Sequence, residues 1–291
     1  MLPRYEHPGI ARLWTDQAQI NLWGDIEAAV LEAILGTPVD PPRVPAAAVR
    51  DLEREVGHEV GAFLQLCEHG LPNLAHRRWL HYGLTSSDLV DTARSITLWH
   101  TNREITELAT QLHVAVYNLD EVPVLGRTHG QVASPTSYRH RWLAAAAYLA
   151  GYPEAFRGAP NRKRPVGKLS GATGNYRVLR REQAERAAET LRIDLAPFST
   201  QVLPAGYTLD HLEHWLRVVM LCEQIALDLR LGAMLGEVAF PAKQVGSTAM
   251  PGKVNPLAAE QICGLAKLWR GTYSSWLESR ALWLDRDLHH S

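Results

Sequence analysis

Apolar residues recur at helical spacing along nearly the whole chain, and this period limits the fold more than any other feature. Ile20, Trp23, Ile26, Val30 and Ile34 return every three or four residues, which sets them on one face of a helix. Period-two alternation, the mark of a half-buried strand, is hard to find. A helix is expected from about Asp16 to Leu35, opened by an Asp-x-x-Gln cap and closed by the proline-rich linker GTPVDPPRVP. A second is expected from Ala46 to about Glu68, with Val49, Leu52, Val56, Val60, Phe63 and Cys67 on its buried stripe and His58 on the opposite side. Further helices are expected over about 88–118, 134–157, 178–192, 208–238 and 256–279. The expected fold class is all-α, an elongated helical bundle over residues 88–291 with a smaller N-terminal helical domain over 1–87. Long bundle helices often bury faces against other subunits, so an oligomer is expected.

Thirty basic residues stand against thirty-one acidic ones, a formal charge of −1, so nothing general draws the chain to nucleic acid or an anionic membrane. Any anion it binds must be held locally. Cys67, Cys222 and Cys263 are odd in number and form no CxxC pair, which reads as reduced core thiols. The start, MLPRYEHPGI, has no apolar leader, and the run WLAAAAYLAGY is too short to span a bilayer. A cytoplasmic protein is expected. His211 with His214, and His289 with His290, lack the further ligands and spacing of a zinc site, so no metal is expected, and the first pair reads as helix surface.

Three segments between helices hold more polar residues and glycines than a connector requires. In HYGLTSSDLVDTA, Ser87 or Asp88 serves as helix cap, and Thr85 with Ser86 sits where free backbone N–H groups favour an anion. The alternative is a plain cap. In LGRTHGQVASPTSY, Ser134 and Pro135 signal a helix start, leaving His129 in the preceding loop, either merely solvated or placed for proton transfer. In GSTAMPGKVNP, Asn255 and Pro256 read as cap and first helical residue. Lys253 therefore lies at the positive end of a helix, where it and free N–H groups could hold an oxyanion. Ser247 in the same loop is a candidate base or nucleophile once activated.

GSTAMPGKVNP resembles the signature loop of the fumarase/aspartase superfamily, Gly-Ser-Ser-x-Met-Pro-x-Lys-x-Asn-Pro, with Thr248 as its one clear departure. RYEHPGIARLWTD, HYGLTSSDLVDTA, GRTHGQ, KLSGATGNY, STQ at Ser199 to Gln201 and LWLDRDLHHS follow in the order found in the adenylosuccinate lyases of that superfamily. The resemblance covers essentially the whole chain. It implies β-elimination with release of fumarate, from adenylosuccinate and the succinylated aminoimidazole carboxamide ribotide of purine biosynthesis, in a homotetramer whose active sites are shared between chains.

By the same resemblance Ser247 is the base, and Lys253 with Asn255 stabilises the aci-carboxylate. His129 is the general acid, with Glu260 as its partner, and His58 is a further catalytic histidine. Thr85, Ser86, Thr128, His81 and Gln201 match substrate contacts, and Arg4, Tyr5, Arg286 and Ser291 match nucleotide or phosphate contacts. No cofactor or metal is implied. The resemblance also implies a C-terminally truncated relative, since family members continue past DRDLHHS through further bundle helices and a small domain. Ala205 and Gly206 replace residues that are polar or charged in adenylosuccinate lyases, and Gly252 is spelled as in fumarases and aspartases. Alternatives are therefore another lyase or cycloisomerase of the superfamily, or a non-catalytic relative that pairs with a full-length subunit.

Overall fold

The computed structural model describes residues 3–71, 73–150, 163–241, 250, 253–279 and 283–286. The helices run α1 (Pro8–Ala11), α2 (Asp16–Leu35), α3 (Ala46–Val56), α4 (Glu59–Gly70), α5 (Leu74–Trp79), α6 (Ser86–Tyr117), α7 (Tyr138–Ala150), α8 (Arg181–Leu191), α9 (Gly206–Met234) and α10 (Leu257–Glu278). Strands β1 (Pro123–Thr128) and β2 (Gln131–Ser137) form an antiparallel hairpin, and the two-residue strands β3 (Val166–Gly167) and β4 (Asp194–Leu195) pair in parallel. Among the described residues helix dominates, as the apolar period predicts, and strands are confined to short pieces.

Two compact units emerge: Met1–Glu104 with Arg162–His211 and Ser279–Ser291, and Ile105–Asn161 with Leu212–Glu278. α6 and α9 contribute residues to both, so the boundary expected after residue 87 falls inside the first unit. A core shared by five helices runs through that unit. Ile20, Trp23, Ile26 and Val30 from α2 meet Val49 of α3, Val60 and Phe63 of α4, Leu89 and Ala93 of α6, and Ala184 and Ala187 of α8. Trp23 and Phe63 meet edge to face with centroids 5.6 Å apart, an arrangement their ring quadrupoles favour. In the second unit, Ala226 of α9 packs on Ala259 and Cys263 of α10, and Arg270 pairs with Glu223 across the same two helices.

Local chemistry moves several boundaries. α2 is capped by Thr15, whose hydroxyl accepts from Ala18 N–H; Asp16, expected as the cap, is the first helical residue. The helix expected over 46–68 is two helices. Gly57 takes φ +74°, the left-handed region where glycine is unstrained, and its N–H closes α3 on the Glu53 carbonyl. Val56, expected on the buried stripe, is exposed beside this break. His211 and His214, read as surface, are buried. Cys67 and Cys263 are buried and Cys222 is half-buried.

The largest difference lies at residues 123–137. Ser134 and Pro135 belong to β2, and α7 starts at Tyr138. The turn is His129–Gly130, with φ +51° and +75°, the two positive angles that a type I′ hairpin loop demands. Gly126 lies so close to β2 that a Cβ there would sit 2.3 Å from the Ser134 carbonyl oxygen. Pro135 fits because proline is tolerated at strand edges and irregular pairing, and the register shifts between Leu125 and Arg127.

Candidate active site

The first unit gathers several predicted site residues around the start of α6. Thr85 stands immediately before the helix, and its N–H donates to Asp88 Oδ2 at 2.7 Å. This is half of a capping box, with Thr85 as cap and Asp88, which the sequence offered as a cap itself, in the third helical position. Asp88 is fully buried and does more. It accepts from Ser170 N–H at 3.0 Å and Gly171 N–H at 3.1 Å, and forms an ion pair with the equally buried Lys168. Thr92, one turn on, accepts from Lys168 N–H and donates to the Lys168 carbonyl. A buried charge pair requires such additional hydrogen bonds to offset its desolvation, and here they are present.

One carboxylate thus ties the loop carrying Thr85 to the segment KLSGATGNY. A further loop joins them. Ser170 Oγ lies 2.8 Å from Ser199 Oγ, and a Cβ on Gly174 would fall 2.0 Å from the Ser199 carbonyl oxygen. Asp91, three residues beyond Asp88 on the same helix face, accepts from Leu203 N–H at 2.8 Å. Gly83, at φ +74°, abuts the Leu179 backbone so closely that a side chain would not fit. The outcome is three loops, 81–85, 170–179 and 199–203, packed backbone to backbone about the first turns of α6.

His58 is the N-cap of α4, and its Nδ1 accepts from Gly61 N–H at 3.0 Å. An accepting Nδ1 leaves the ring proton on Nε2, which lies 3.4 Å from Ser86 Oγ. The sequence placed His58 in mid-helix on the polar side; its exposure is right, but the cause is a helix break. Gln201 Oε1 accepts from Arg286 Nη1 at 3.3 Å, joining two predicted contacts. Arg4 stacks over the ring of Tyr5 at 5.1 Å. His81 meets Glu27, a residue the sequence reading did not single out.

The second unit holds the other candidates. His129 is exposed at the hairpin tip, adjoining the exposed Thr128 that ends β1. The hairpin is anchored by Glu237, which accepts from Tyr138 Oη at 2.9 Å and pairs with Arg127 at 3.6 Å. Burial, then the Glu237 contact, pushes the Tyr138 hydroxyl above its usual range. At α10 the Pro256 carbonyl receives Glu260 N–H, so helical bonding begins one residue later than the sequence indicated. Lys253 and Asn255 precede this positive helix end, and Glu260 lies in its first turn. Among the described residues no hydrogen bond or ion pair joins Glu260 to His129. Ser247 and Ser291 lie outside the described residues.

Among the described residues no group of three His, Cys, Asp or Glu side chains is arranged to hold a metal, and no helix is long and apolar enough to cross a membrane. Asp88, Asp91, Lys168 and Glu27 were missed as organisers. The acidic pair at i and i+3 inside TSSDLVD was a readable signal for the first two; Lys168 and Glu27 join partners 80 and 54 positions away, which no local pattern reveals.

This arrangement, long helices that carry polar loops at their ends, is matched by known proteins. A family profile described as lyase matches residues 46–269, more than half of the chain. The chain therefore belongs to the lyase family of the fumarase/aspartase superfamily. Within it the chain is similar to adenylosuccinate lyases. It is 32% identical to that of Archaeoglobus fulgidus over 99% of this chain and 69% of the relative. Identity to that of Thermotoga maritima is 31%, over 100% of this chain and 71% of the relative. Two solved structures share the fold at 22% identity. A 3-carboxy-cis,cis-muconate lactonizing enzyme from Pseudomonas putida has a TM-score of 0.76 over 98% of this chain and 69% of its own. A fumarate lyase from Mesorhizobium has a TM-score of 0.73 over 97% of this chain and 68% of its own.

Proposed function

We propose that the chain is a cytoplasmic enzyme that releases fumarate from adenylosuccinate, and from the succinylated aminoimidazole carboxamide ribotide, by β-elimination in purine biosynthesis. The observation that carries this reading is the gathering of loops about Asp88 and Asp91, because it brings Thr85, Ser86, His58 and Gln201, each expected to touch substrate, into one unit.

The chemical difficulty is removal of a proton from the carbon beside a carboxylate. The dianion that results needs positive groups already in place. In this reading Ser247 takes the proton, while Lys253, Asn255 and the N-terminus of α10 stabilise the aci-carboxylate. His129, held out on a two-residue turn, gives a proton to the departing nitrogen, a role worth roughly 10²- to 10⁴-fold. Thr85, Ser86, Thr128 and Gln201 hold the succinyl portion, and His81 meets an anionic group of the substrate. Arg4, Tyr5, Arg286 and Ser291 hold the nucleotide phosphate. Glu260 supports a general-acid histidine, and the site closes between chains of a homotetramer. Exposed Met220, Leu227 and Leu231 of α9 and Leu265 and Leu268 of α10 are the apolar surface such an assembly would cover.

A second reading, a lyase or cycloisomerase acting on a different succinyl compound, is favoured by Ala205 and Gly206, which leave the loop after Gln201 without charge. Fumarate release from a panel of succinyl compounds separates the two. Turnover of adenylosuccinate supports the first, and turnover of malate, aspartate or argininosuccinate alone overturns it.

A further inference from the structure

Glu27 is a fully buried carboxylate that the proposed chemistry leaves unused. It lies on α2 between Ile26 and Val30, both members of the main core. An ionised carboxylate in such a place costs several kcal/mol unless its oxygens are satisfied. Both oxygens here go to a single residue. Oε2 accepts His81 N–H at 2.9 Å, and Oε1 meets His81 Nδ1 at 2.6 Å.

That double contact is more than a core requires. His81 holds φ +57°, a left-handed conformation that costs a β-carbon residue about 1–2 kcal/mol. Glycine would remove the strain, and a single acceptor would satisfy the N–H. A carboxylate that grips backbone and ring together fixes the ring plane as well as the turn. It also fixes the tautomer, because a carboxylate only accepts and Nδ1 must therefore carry the proton. Nε2 is the ring atom that remains. It has no hydrogen-bond partner among the described residues, and the His81 side chain is 21% exposed while that of Glu27 is 0% exposed. The same loop continues through Gly83 to Thr85 and Ser86.

Building on the proposed function, we infer that Glu27 is a positioning residue that orients His81 so that Nε2 is presented to an anionic group of the substrate, a carboxylate or a phosphate. When such a group binds, the anion at Nε2 and the Glu27 carboxylate at Nδ1 grip the ring from its two sides. Glu27 touches no substrate itself; it acts through the imidazole.

The experiment uses the full chain, with Glu27→Gln, Glu27→Met and His81→Asn variants. Glu27→Met keeps the core apolar and folded if the amide of Gln does not, since apolar replacement of a buried ionic group is often neutral. Calorimetric Kd values are measured for fumarate and, separately, for inorganic phosphate, so that no turnover is needed. ¹⁵N spectra of labelled histidine report the His81 tautomer, which a purely structural role would not couple to anion binding. The expected result is Nδ1–H in the wild type, loss of that state in both Glu27 variants, and a Kd raised roughly 10- to 100-fold for one of the two anions. Weakening of fumarate alone assigns a substrate carboxylate; weakening of phosphate alone assigns the phosphate. If His81→Asn weakens an anion but neither Glu27 variant does, the positioning role is overturned while the functional reading stands. If His81→Asn weakens neither anion, His81 is no substrate contact, and that part of the functional reading fails together with the inference.

Discussion

At the residue scale, the Asp88–Lys168 pair decides whether the loops stay together. Its two members are not equivalent. Asp88 without Lys168 still accepts three backbone N–H groups, from Thr85, Ser170 and Gly171, whereas the Lys168 ammonium without Asp88 keeps only the Gly171 carbonyl at 3.4 Å. Asp88→Asn should therefore destabilise by about 3–5 kcal/mol, the cost of an unpaired buried charge, and Lys168→Met by clearly less. Urea midpoints of both variants check the order; equal losses would contradict it. Asp91 differs in sign. Burial raises its carboxyl above the ordinary 3.8, more than Leu203 N–H, Arg94, Lys168 and Arg286 lower it. A folded value above the unfolded one means that its stabilising contribution is present below pH 3.8 and lost as pH rises through the folded value. At neutral pH its charge thus opposes folding, so Asp91→Asn, which keeps an acceptor for Leu203 N–H, should melt at or above the wild-type temperature. His214 runs the other way. Burial lowers it below 6.5, so its contribution is intact above that pH and declines as pH falls, which urea midpoints between pH 5 and 7, with and without His214→Gln, would register.

Among the elements, the loops are held by backbone approach as much as by charge. Gly174, at φ +74°, sits where a methyl group would overlap the Ser199 carbonyl, so Gly174→Ala should loosen the 199–203 loop and lower melting temperature by several degrees; an unchanged melting point would contradict this packing. The helices were largely legible in the sequence, because α2, α6, α9 and α10 each carry a long apolar period and begin or end within a few residues of the expected positions. What escaped was punctuation inside a period. Gly57 interrupts an apolar stripe that reads continuously, so one helix was expected where two exist and His58 gained its cap position unseen. The hairpin is hard to read because Ser-Pro is a strong helix-start pair, while the opposing cue, Gly130 after a residue that accepts positive φ, is short. Of the candidate site, the polar segments were readable as motifs, and their joining was not. Asp88 with Ser170, Ser170 with Ser199 and Glu27 with His81 are contacts between distant positions, set by how α2, α6 and the loops pack.

For the whole molecule, the exposed apolar side chains on α9 and α10 bear on assembly. Light scattering of the purified chain should give about four times the 32.4 kDa chain mass, and a monomeric mass with normal helicity would contradict the shared-site proposal. Turnover as proposed depends on proton removal by Ser247 and proton delivery by His129. Its most direct test is the rate of fumarate release from adenylosuccinate by the wild type, Ser247→Ala and His129→Gln, with helicity followed by circular dichroism. The prediction is turnover by the wild type and loss by at least about 10²-fold in each variant at unchanged helicity. Undiminished release in either variant, or none from a folded wild-type oligomer, would contradict it.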